Sequence, residues 1–281
     1  MKVIKTVASL RRTLSTYSKA GKKIGLVPTM GALHEGHMSL VDQSAREADV
    51  TIVSIFVNPI QFGKNEDLDK YPRRLEADAA LAAEHGADFI FAPSVTEMYP
   101  SASSSTVIRN EELEGLYCGA NRPGHFKGVL TVVAKLLLIT QADIAYFGVK
   151  DYQQVFLIEK MVADLNFKTK IVRVPTFRDD SGLAISSRNE YLTPEEKDNA
   201  PALYEGLLAA KKAYEGGERS VAKLRDLVIR SILIHRGVVQ FVEIADSATL
   251  QKCAGLLTIE KPVILVAAFL GKTRLIDNME L

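Results

Sequence analysis

Short apolar runs alternate with amphipathic stretches along the chain up to Pro175. The run VTIVSIFV at 50–57 is almost wholly apolar and β-branched, which is typical of a strand covered on both faces of a parallel sheet. The Ala-rich stretch 75–85 predicts a helix that stops at Gly86, a suitable C-terminal cap. The remaining elements predicted in this part are strands at 23–28, 88–92, 143–147 and 170–174 and helices at 37–48, 129–139 and 152–165. Strands that alternate with helices predict βαβ units and an α/β fold with a doubly wound parallel sheet.

The pattern changes after Pro175, where longer polar helices precede a few apolar strands. The elements predicted there are helices at 194–214 and 220–235 and strands at 239–245, 263–270 and 274–276. Two helices followed by short strands favour a small α+β domain with an antiparallel sheet. We therefore expect a Rossmann-like domain over 1–176 and a smaller α+β domain over 177–281.

The composition is that of a globular protein, and its charge balance excludes some classes of function. Hydrophobic residues make up 47% and charged residues 25% of the 281 residues. The net charge of +1 argues against a nucleic-acid scaffold, which carries a basic excess. No apolar run reaches the roughly 18 residues of a membrane span, and the N-terminus lacks the apolar stretch of a secretory signal. Cys118 and Cys253 form no CxxC pair, which argues against a disulfide framework or a zinc cluster and favours a reducing compartment. From the charge, the apolar runs and the cysteines together, we expect a cytoplasmic protein without nucleic-acid or membrane partners.

Two histidines follow the first predicted strand, 23–28. Ligands of open parallel sheets bind at the carboxyl ends of strands, where helix N-termini present unpaired N–H groups. The segment PTMGALHEGH at 28–37 places His34 and His37 at such a helix start, flanked by glycines. Imidazole N–H groups and the helix terminus suit a phosphate. Two other interpretations are a metal site, for which the spacing supplies no third ligand, and an ordinary turn with incidental histidines.

Polar side chains also follow two other predicted strands. One strand is followed by Asn58 and Gln61, whose amides can bind a hydroxyl or a carboxylate, although a capped loop has the same pattern. Another is followed by Gly148, Lys150 and Asp151. The glycine permits close approach, the lysine can meet a phosphate, and the aspartate can cap the next helix or lie near a cation. A lysine at a helix start is more often simply solvated.

The last predicted strand of the parallel sheet leads into a loop with Ser186, Ser187 and Arg188. Two hydroxyls and a guanidinium suit triphosphate oxygens, although this tripeptide is also common in solvated turns. The chain has neither a GxxxxGKS/T loop nor a GxGxxG fingerprint after a strand. A nucleotide would therefore bind through neither of these two phosphate-binding motifs.

The histidine turn and the Ser/Arg loop together resemble the HxGH and KMSKS-type pair of the nucleotidyltransferase superfamily. More narrowly, the chain resembles the pantothenate synthetase (pantoate–β-alanine ligase) family over essentially its whole length. The segments that carry this resemblance are, in order, LVPTMGALHEGHMSLV, IFVNPIQF, YPR, RPGHFKGV, YFGVKDYQQ, DLNF, RVPT, GLAISSRNEYL and TRLIDN.

The resemblance implies a two-step ligation that uses ATP and Mg²⁺. Pantoate and Mg-ATP give an enzyme-bound pantoyl adenylate and pyrophosphate, and the amine of β-alanine then attacks the mixed anhydride to give pantothenate and AMP. The resemblance implies that the protein is a homodimer. The other partners that it implies are the small-molecule substrates pantoate, β-alanine and ATP. The C-terminal domain would close over the active site, and 179–189 is our candidate for the closing loop.

The resemblance also implies the site residues. The ATP contacts are Met30, Gly31, Ala32, Leu33, His34, Glu35, Gly36, His37, Gly148, Val149, Lys150, Asp151, Phe177, Ile185, Ser186, Ser187 and Arg188. The phosphate-binding and catalytic members are His34, His37, Lys150, Ser186, Ser187 and Arg188, with His37 as proton donor. Pantoate is expected to bind Gln61 and Gln154, with Asn58 supporting that pocket and Arg122 contributing to the site. No protein ligand of Mg²⁺ is assigned.

The sequence departs from the family pattern at three of these positions. Val149 stands where Glu is usual, Phe177 where Val is usual, and Ile185 where Met is usual. We expect Phe177 and Ile185 to contact adenine mainly through the backbone, and we assign Val149 no side-chain role. Two other functions are compatible with the same turn: a nucleotidyltransferase that keeps the nucleotide in its product, and a nucleotide-binding module without activity. Gln61 and Gln154 favour the ligase, because amides suit a small hydroxy acid.

Overall fold

A computed structural model describes residues 1–63, 66, 68–101 and 106–281 of the chain. The chain forms two compact units. The first consists of Met1–Val149 and Gln154–Pro175, and the second of Lys150–Gln153 and Thr176–Leu281. No helix within the described ranges is both long and apolar enough to span a membrane.

The first unit is built on a parallel sheet. Its strands are β1 (Lys2–Ile4), β2 (Ile24–Thr29), β3 (Val50–Ile55), β4 (Phe89–Phe91), β5 (Ile144–Gly148) and β6 (Lys170–Val174). The helices between them are α1 (Val7–Lys19), α2 (Glu35–Glu47), α3 (Leu75–Glu84), α4 (Val95–Met98), α5 (Cys118–Asn121), α6 (His125–Thr140) and α7 (Tyr152–Asp164). The strand order is β1-β4-β3-β2-β5-β6, and all pairings are parallel. This confirms the predicted α/β fold with a parallel sheet.

Burial of the central strands explains why their sequences are apolar throughout. In β3 every residue but the last is buried, because the strand lies between β2 and β4. Val27 and Val53 of neighbouring strands pack with Met38 and Val41 of α2 in one apolar cluster. A strand covered in this way has no polar face, so it lacks the alternation of a half-exposed strand.

The strand register aligns the segments that carry the predicted site residues. Thr29 at the end of β2 pairs with Ile55 at the end of β3, and Gly148 of β5 pairs with Val174 of β6. Because the strands are parallel, the turns that follow them all begin at the same edge of the sheet. The histidine turn and the Asn58–Gln61 segment thus follow adjacent strands.

The second unit packs helices on a small antiparallel sheet. Its helices are α8 (Pro194–Asn199), α9 (Ala202–Glu215) and α10 (Val221–Ile234), and its strands are β7 (Val238–Asp246), β8 (Pro262–Leu270) and β9 (Thr273–Glu280). The strands are ordered β7-β8-β9 with antiparallel pairing, as predicted. Leu207 of α9 and Val228 of α10 are buried with Val266 of β8 in the core of this unit.

One sequence-based prediction of secondary structure was wrong, and two N-terminal elements were not predicted. The single helix predicted over 194–214 is two helices that separate at Ala200 and Pro201. Proline has no N–H to donate to the preceding turn, which explains the break. The elements β1 and α1 were not predicted, since β1 buries only Ile4 of its three residues and α1 buries only Leu10 and Leu14.

Candidate active site

The turn after β2 brings two imidazoles together at the N-terminus of α2. His34 is the N-cap residue of this helix, and His37 lies in its first turn. Their ring centroids are 4.0 Å apart, and the Nδ1 atoms of both rings are buried. The 13-residue helix contributes a partial positive charge at the same end. The arrangement therefore suits an anionic group.

Asp78 of α3 holds the backbone of this turn. Its buried carboxylate accepts hydrogen bonds from the backbone N–H of Ala32 at 2.9 Å and of Leu33 at 2.8 Å. Gly31 and Ala32 have φ angles of 84° and 51°, in the left-handed region. A Cβ atom at Gly31 would also approach the Asp78 carboxylate to 3.0 Å, so both conformation and space favour glycine there. The histidines thus stand on a backbone that a buried charge fixes.

The segment after β3 forms a buried hydrogen-bond network around two amides. The Asn58 Nδ2 group donates to Gln61 Oε1 at 2.9 Å and to the carbonyl oxygen of Gly128 at 3.1 Å. The hydroxyl of Tyr99 donates to Asn58 Oδ1 at 2.8 Å. The Gln61 Nε2 group lies 3.2 Å from the sulfur of Met30 in the preceding turn. These contacts connect the two turns that follow adjacent strands, and they engage both ends of the Asn58 amide.

Close backbone packing supports this network. A Cβ atom at Gly128 of α6 would lie 2.6 Å from both Gln61 Cα and the carbonyl oxygen of Ile60. Real Cβ atoms do not approach backbone so closely, so only glycine lets α6 lie directly on the 3₁₀ turn Pro59–Gln61. The position of Gln61 therefore depends on the absence of a side chain at 128.

Arg122 is bound to protein groups on two sides. Its Nε and Nη2 atoms each donate to Glu66 at 2.7 Å, and its Nη1 lies 2.9 Å from His125 Nε2. His125 Nδ1 lies 2.9 Å from the carbonyl oxygen of Gln61. A guanidinium only donates and a carbonyl only accepts, so Nδ1 carries the proton and Nε2 accepts from Arg122. Burial opposes ionisation of Glu66, but the hydrogen bonds and charge of Arg122 outweigh it and lower the pKa of this carboxyl.

The segment after β5 contains the next group of predicted residues. Gly148 ends the strand, and a Cβ atom there would meet nothing within 4 Å, which leaves open space beside the backbone. Val149, Lys150 and Asp151 form a half-buried 3₁₀ turn, and the Lys150 carbonyl accepts a hydrogen bond from Asn278 at 2.9 Å. Gln154 is half-buried in the first turn of α7.

The predicted Ser/Arg loop lies in the second unit, where Ser186 is the N-cap of a 3₁₀ turn, Ser187–Tyr191. Its hydroxyl accepts from the N–H of Arg188 at 3.3 Å. Just upstream, the N–H of Ile185 donates to the carbonyl oxygen of Phe177 at 3.0 Å, and the Phe177 side chain is largely exposed. The loop is thus shaped by its own backbone contacts.

An ion pair between a half-buried arginine and a buried aspartate anchors the start of this loop. Arg178 donates to both carboxylate oxygens of Asp277 in β9, at 2.6 and 2.8 Å, and to the carbonyl oxygen of Gly182 at 3.1 Å. Its guanidinium also lies 3.9 Å from the ring centroid of Tyr204. Bidentate pairing and stacking restrict the arginine strongly. The first part of the candidate closing loop, 179–189, is therefore tied down within its own unit.

The predicted site residues are divided between the two units. The first unit holds the turn 30–37, Asn58, Gln61, Arg122, Gly148, Val149 and Gln154, and the second holds Lys150, Asp151, Phe177 and 185–188. Sequence reasoning missed Asp78, Tyr99 and the Arg122 partners Glu66 and His125. Among the residues that the structure describes, no group of three or more His, Cys, Asp or Glu side chains could hold a metal ion.

The first unit thus has an α/β architecture with a parallel sheet and polar turns at the carboxyl ends of adjacent strands, the edge at which proteins of this class bind small molecules. Comparison with known proteins gives the family. A model of the pantoate-beta-alanine ligase family matches residues 2–280. The chain belongs to this family of ligases, which acts in pantothenate biosynthesis, so the resemblance seen in the sequence is confirmed.

Individual relatives match the chain from end to end. Pantothenate synthetase 1 of Bradyrhizobium diazoefficiens is 50% identical over 100% of this chain and 98% of its own length. A crystal structure of the pantoate-beta-alanine ligase (pantothenate synthetase) from Thermus thermophilus is 44% identical, covers 99% of both chains and has a TM-score of 0.92. The pantoate-beta-alanine ligase of Francisella tularensis, described as complexed with beta-gamma ATP and beta-alanine, is 37% identical over 99% of this chain and 97% of its own, with a TM-score of 0.80.

Proposed function

We propose that the protein condenses pantoate with β-alanine at the expense of ATP, through a pantoyl-adenylate intermediate, and releases AMP and pyrophosphate. The observation that carries this proposal is the imidazole pair at the N-terminus of α2, with ring centroids 4.0 Å apart, in a chain that matches the family model over residues 2–280. The Francisella relative, described as complexed with beta-gamma ATP and beta-alanine, supports ATP and β-alanine as substrates.

The first step is attack of the pantoate carboxylate on the α-phosphorus of ATP. A new P–O bond forms and the bond to the pyrophosphate oxygen breaks, so negative charge grows on phosphoryl oxygens. Positioning and electrostatic stabilisation supply most of the catalysis of such a transfer. We assign this work to His34, His37, Lys150 and the 186–188 loop, with His37 as proton donor. Neither cysteine is needed, since no covalent bond to the enzyme forms.

Pantoate binding is assigned to Gln61 and Gln154, whose amides can hydrogen-bond a carboxylate or hydroxyl without adding charge. Asn58 supports Gln61 through the 2.9 Å hydrogen bond between their amides. Arg122 serves the same pocket indirectly, because it contacts His125, which in turn contacts the carbonyl oxygen of Gln61. Its guanidinium is a positioning group in this scheme.

In the second step, the neutral amine of β-alanine attacks the carbonyl carbon of the adenylate. A C–N bond forms, the C–O bond to AMP breaks, AMP leaves as the phosphate anion, and the nitrogen releases one proton to the solvent. This step requires that water is kept from the mixed anhydride. We assign Mg²⁺ to the phosphates of ATP, because this ion usually binds substrate phosphates and keeps several of its own water ligands. We further propose, from the family resemblance, a cytoplasmic homodimer.

Pyrophosphate exchange into ATP tests the first step separately from the second. We expect exchange that requires pantoate and proceeds without β-alanine. Exchange without pantoate would indicate a transferase that keeps the nucleotide, and no exchange with any acid would indicate a binding module. Either result would overturn the proposal.

The imidazole pair is tested in the same assay. His34→Ala and His37→Ala should each slow pantoate-dependent exchange by about 10²-fold or more, because each removes a donor aimed at developing charge. The matched control is His85→Ala, which removes an imidazole paired with Asp42 at the far end of α3 and should leave the rate unchanged. Near wild-type exchange in either site variant would mean that the histidine turn is only structural.

A further inference from the structure

The buried tyrosine hydroxyl of Tyr99 lies two hydrogen bonds away from the Gln61 amide. It donates to Asn58 Oδ1 at 2.8 Å, and Asn58 Nδ2 donates to Gln61 Oε1 at 2.9 Å. All three residues are buried. Burial also raises the pKa of Tyr99, so its hydroxyl keeps the proton that it donates.

The direction of this chain of hydrogen bonds is set by the backbone. The carbonyl oxygen of Gly128 can only accept, so the Asn58 atom that lies 3.1 Å from it must be the NH₂ nitrogen. The other end of that amide is then the carbonyl oxygen, which faces the Tyr99 hydroxyl. The second proton of the Asn58 NH₂ group in turn requires an acceptor, and Gln61 supplies its Oε1.

This leaves the Gln61 amide with its NH₂ group on the opposite side from Asn58. Its Nε2 faces the thioether of Met30 at 3.2 Å, which is only a weak acceptor. A carboxylate or hydroxyl oxygen of a bound acid is a better acceptor for the same donor. Rotation of the Gln61 amide by 180° would place its NH₂ group against the NH₂ group of Asn58, so the network favours one orientation of Gln61.

We propose that Tyr99 is a positioning residue for pantoate: together with the Gly128 carbonyl it holds Asn58, and Asn58 in turn fixes the Gln61 amide with its NH₂ group presented to the acid. The site then selects an acceptor oxygen at this point and disfavours an analogue that presents a donor. The inference rests on the proposed function, in which the acid binds at Gln61. Tyr99 itself need not touch the substrate.

The test is Tyr99→Phe, assayed by pyrophosphate exchange without β-alanine. The variant keeps the ring that packs against Phe56 at 6.1 Å and loses only the hydroxyl. We expect the KM for pantoate to rise about fivefold to tenfold, the effect of one lost buried hydrogen bond, while the KM for ATP stays within about twofold. The matched control is Tyr146→Phe, which removes a buried tyrosine hydroxyl bonded to Glu47 and should change neither constant.

The outcomes separate this inference from the proposed function. An unchanged KM for pantoate in Tyr99→Phe, or an equal rise in the KM for ATP, would overturn the positioning role while leaving the ligase intact. A wild-type protein without pantoate-dependent exchange would overturn the proposed function and this inference with it. A rise in the pantoate KM alone supports both.

Discussion

The carboxylate of Asp78 provides the sharpest test of how the histidine turn is held. Removing its charge should loosen the turn without touching either imidazole. Asp78 is 4% exposed, and its two oxygens accept hydrogen bonds from the N–H groups of Ala32 and Leu33 at 2.9 and 2.8 Å. Ala32 has a φ of 51°, which an alanine adopts only when its surroundings enforce it. The hydrogen bonds to this carboxylate supply that constraint.

The expected magnitude follows from these two contacts. A hydrogen bond to a charged group contributes about 1.5–3 kcal/mol, so losing both in Asp78→Ala costs about 3–6 kcal/mol. This is a large part of the stability of a domain, which is about 5–15 kcal/mol. Asp78→Asn is more informative, since it keeps one acceptor and turns an NH₂ group toward the other N–H. We expect it to lose about 2 kcal/mol.

Two measurements check this prediction. Urea denaturation of Asp78→Asn should show the loss of stability. Its pantoate-dependent exchange should fall about 10-fold to 100-fold, because a shift of about 1 Å moves the imidazoles out of line with the phosphate. The matched control is Glu76→Gln on the exposed side of the same helix, which should behave like wild type. If Asp78→Asn were as stable and as active as wild type, the carboxylate would not be what holds the turn.

Two further predictions concern the contacts that hold Gln61 and its neighbours. The folded-state pKa of Glu66 is lowered, so its carboxylate stabilises the fold above the ordinary value of 4.5 and this contribution is lost as the pH falls through the lower folded value. Glu66→Gln should therefore cost about 1 kcal/mol at neutral pH and progressively less below 4.5, and a cost independent of pH in denaturant titrations would contradict this. Gly128→Ala should lose about 2 kcal/mol and raise the KM for pantoate, since its Cβ would lie 2.6 Å from Gln61 Cα. Gly115→Ala, where a Cβ meets nothing within 4 Å, is the control, and equal stability of the two variants would refute the packing argument.

The secondary structure was predictable where a buried element gives a continuous run of apolar residues. The run that forms β3 is buried along nearly its whole length, so no polar residue interrupts it. The same reasoning failed for α1, which buries only Leu10 and Leu14 and is otherwise polar. It also failed at Pro201, where the amphipathic pattern continues from one helix to the next although the proline interrupts the helical hydrogen bonds of the backbone.

The adjacency of the histidine turn and the Asn58–Gln61 segment was predictable because both are polar turns after apolar strands, but the contacts between them were not. Asp78 carried one available signal: it is a carboxylate beside Ala79 and Ala82, on the buried face of an alanine-rich helix. The hydrogen bond between Tyr99 and Asn58 joins residues 41 positions apart and leaves no local pattern. Such pairs depend on how the chain packs, which spacing alone does not encode.

The contact of α6 with the 3₁₀ turn Pro59–Gln61 has a consequence for redesign. At Gly128 one main chain lies on another, so this contact contains no side chain that could be shortened. Nor can a larger residue be placed there, because even a methyl group would displace the backbone of Gln61. Under the proposed assignment of pantoate to Gln61, attempts to change acid selectivity must therefore leave Gly128 unchanged and alter other residues.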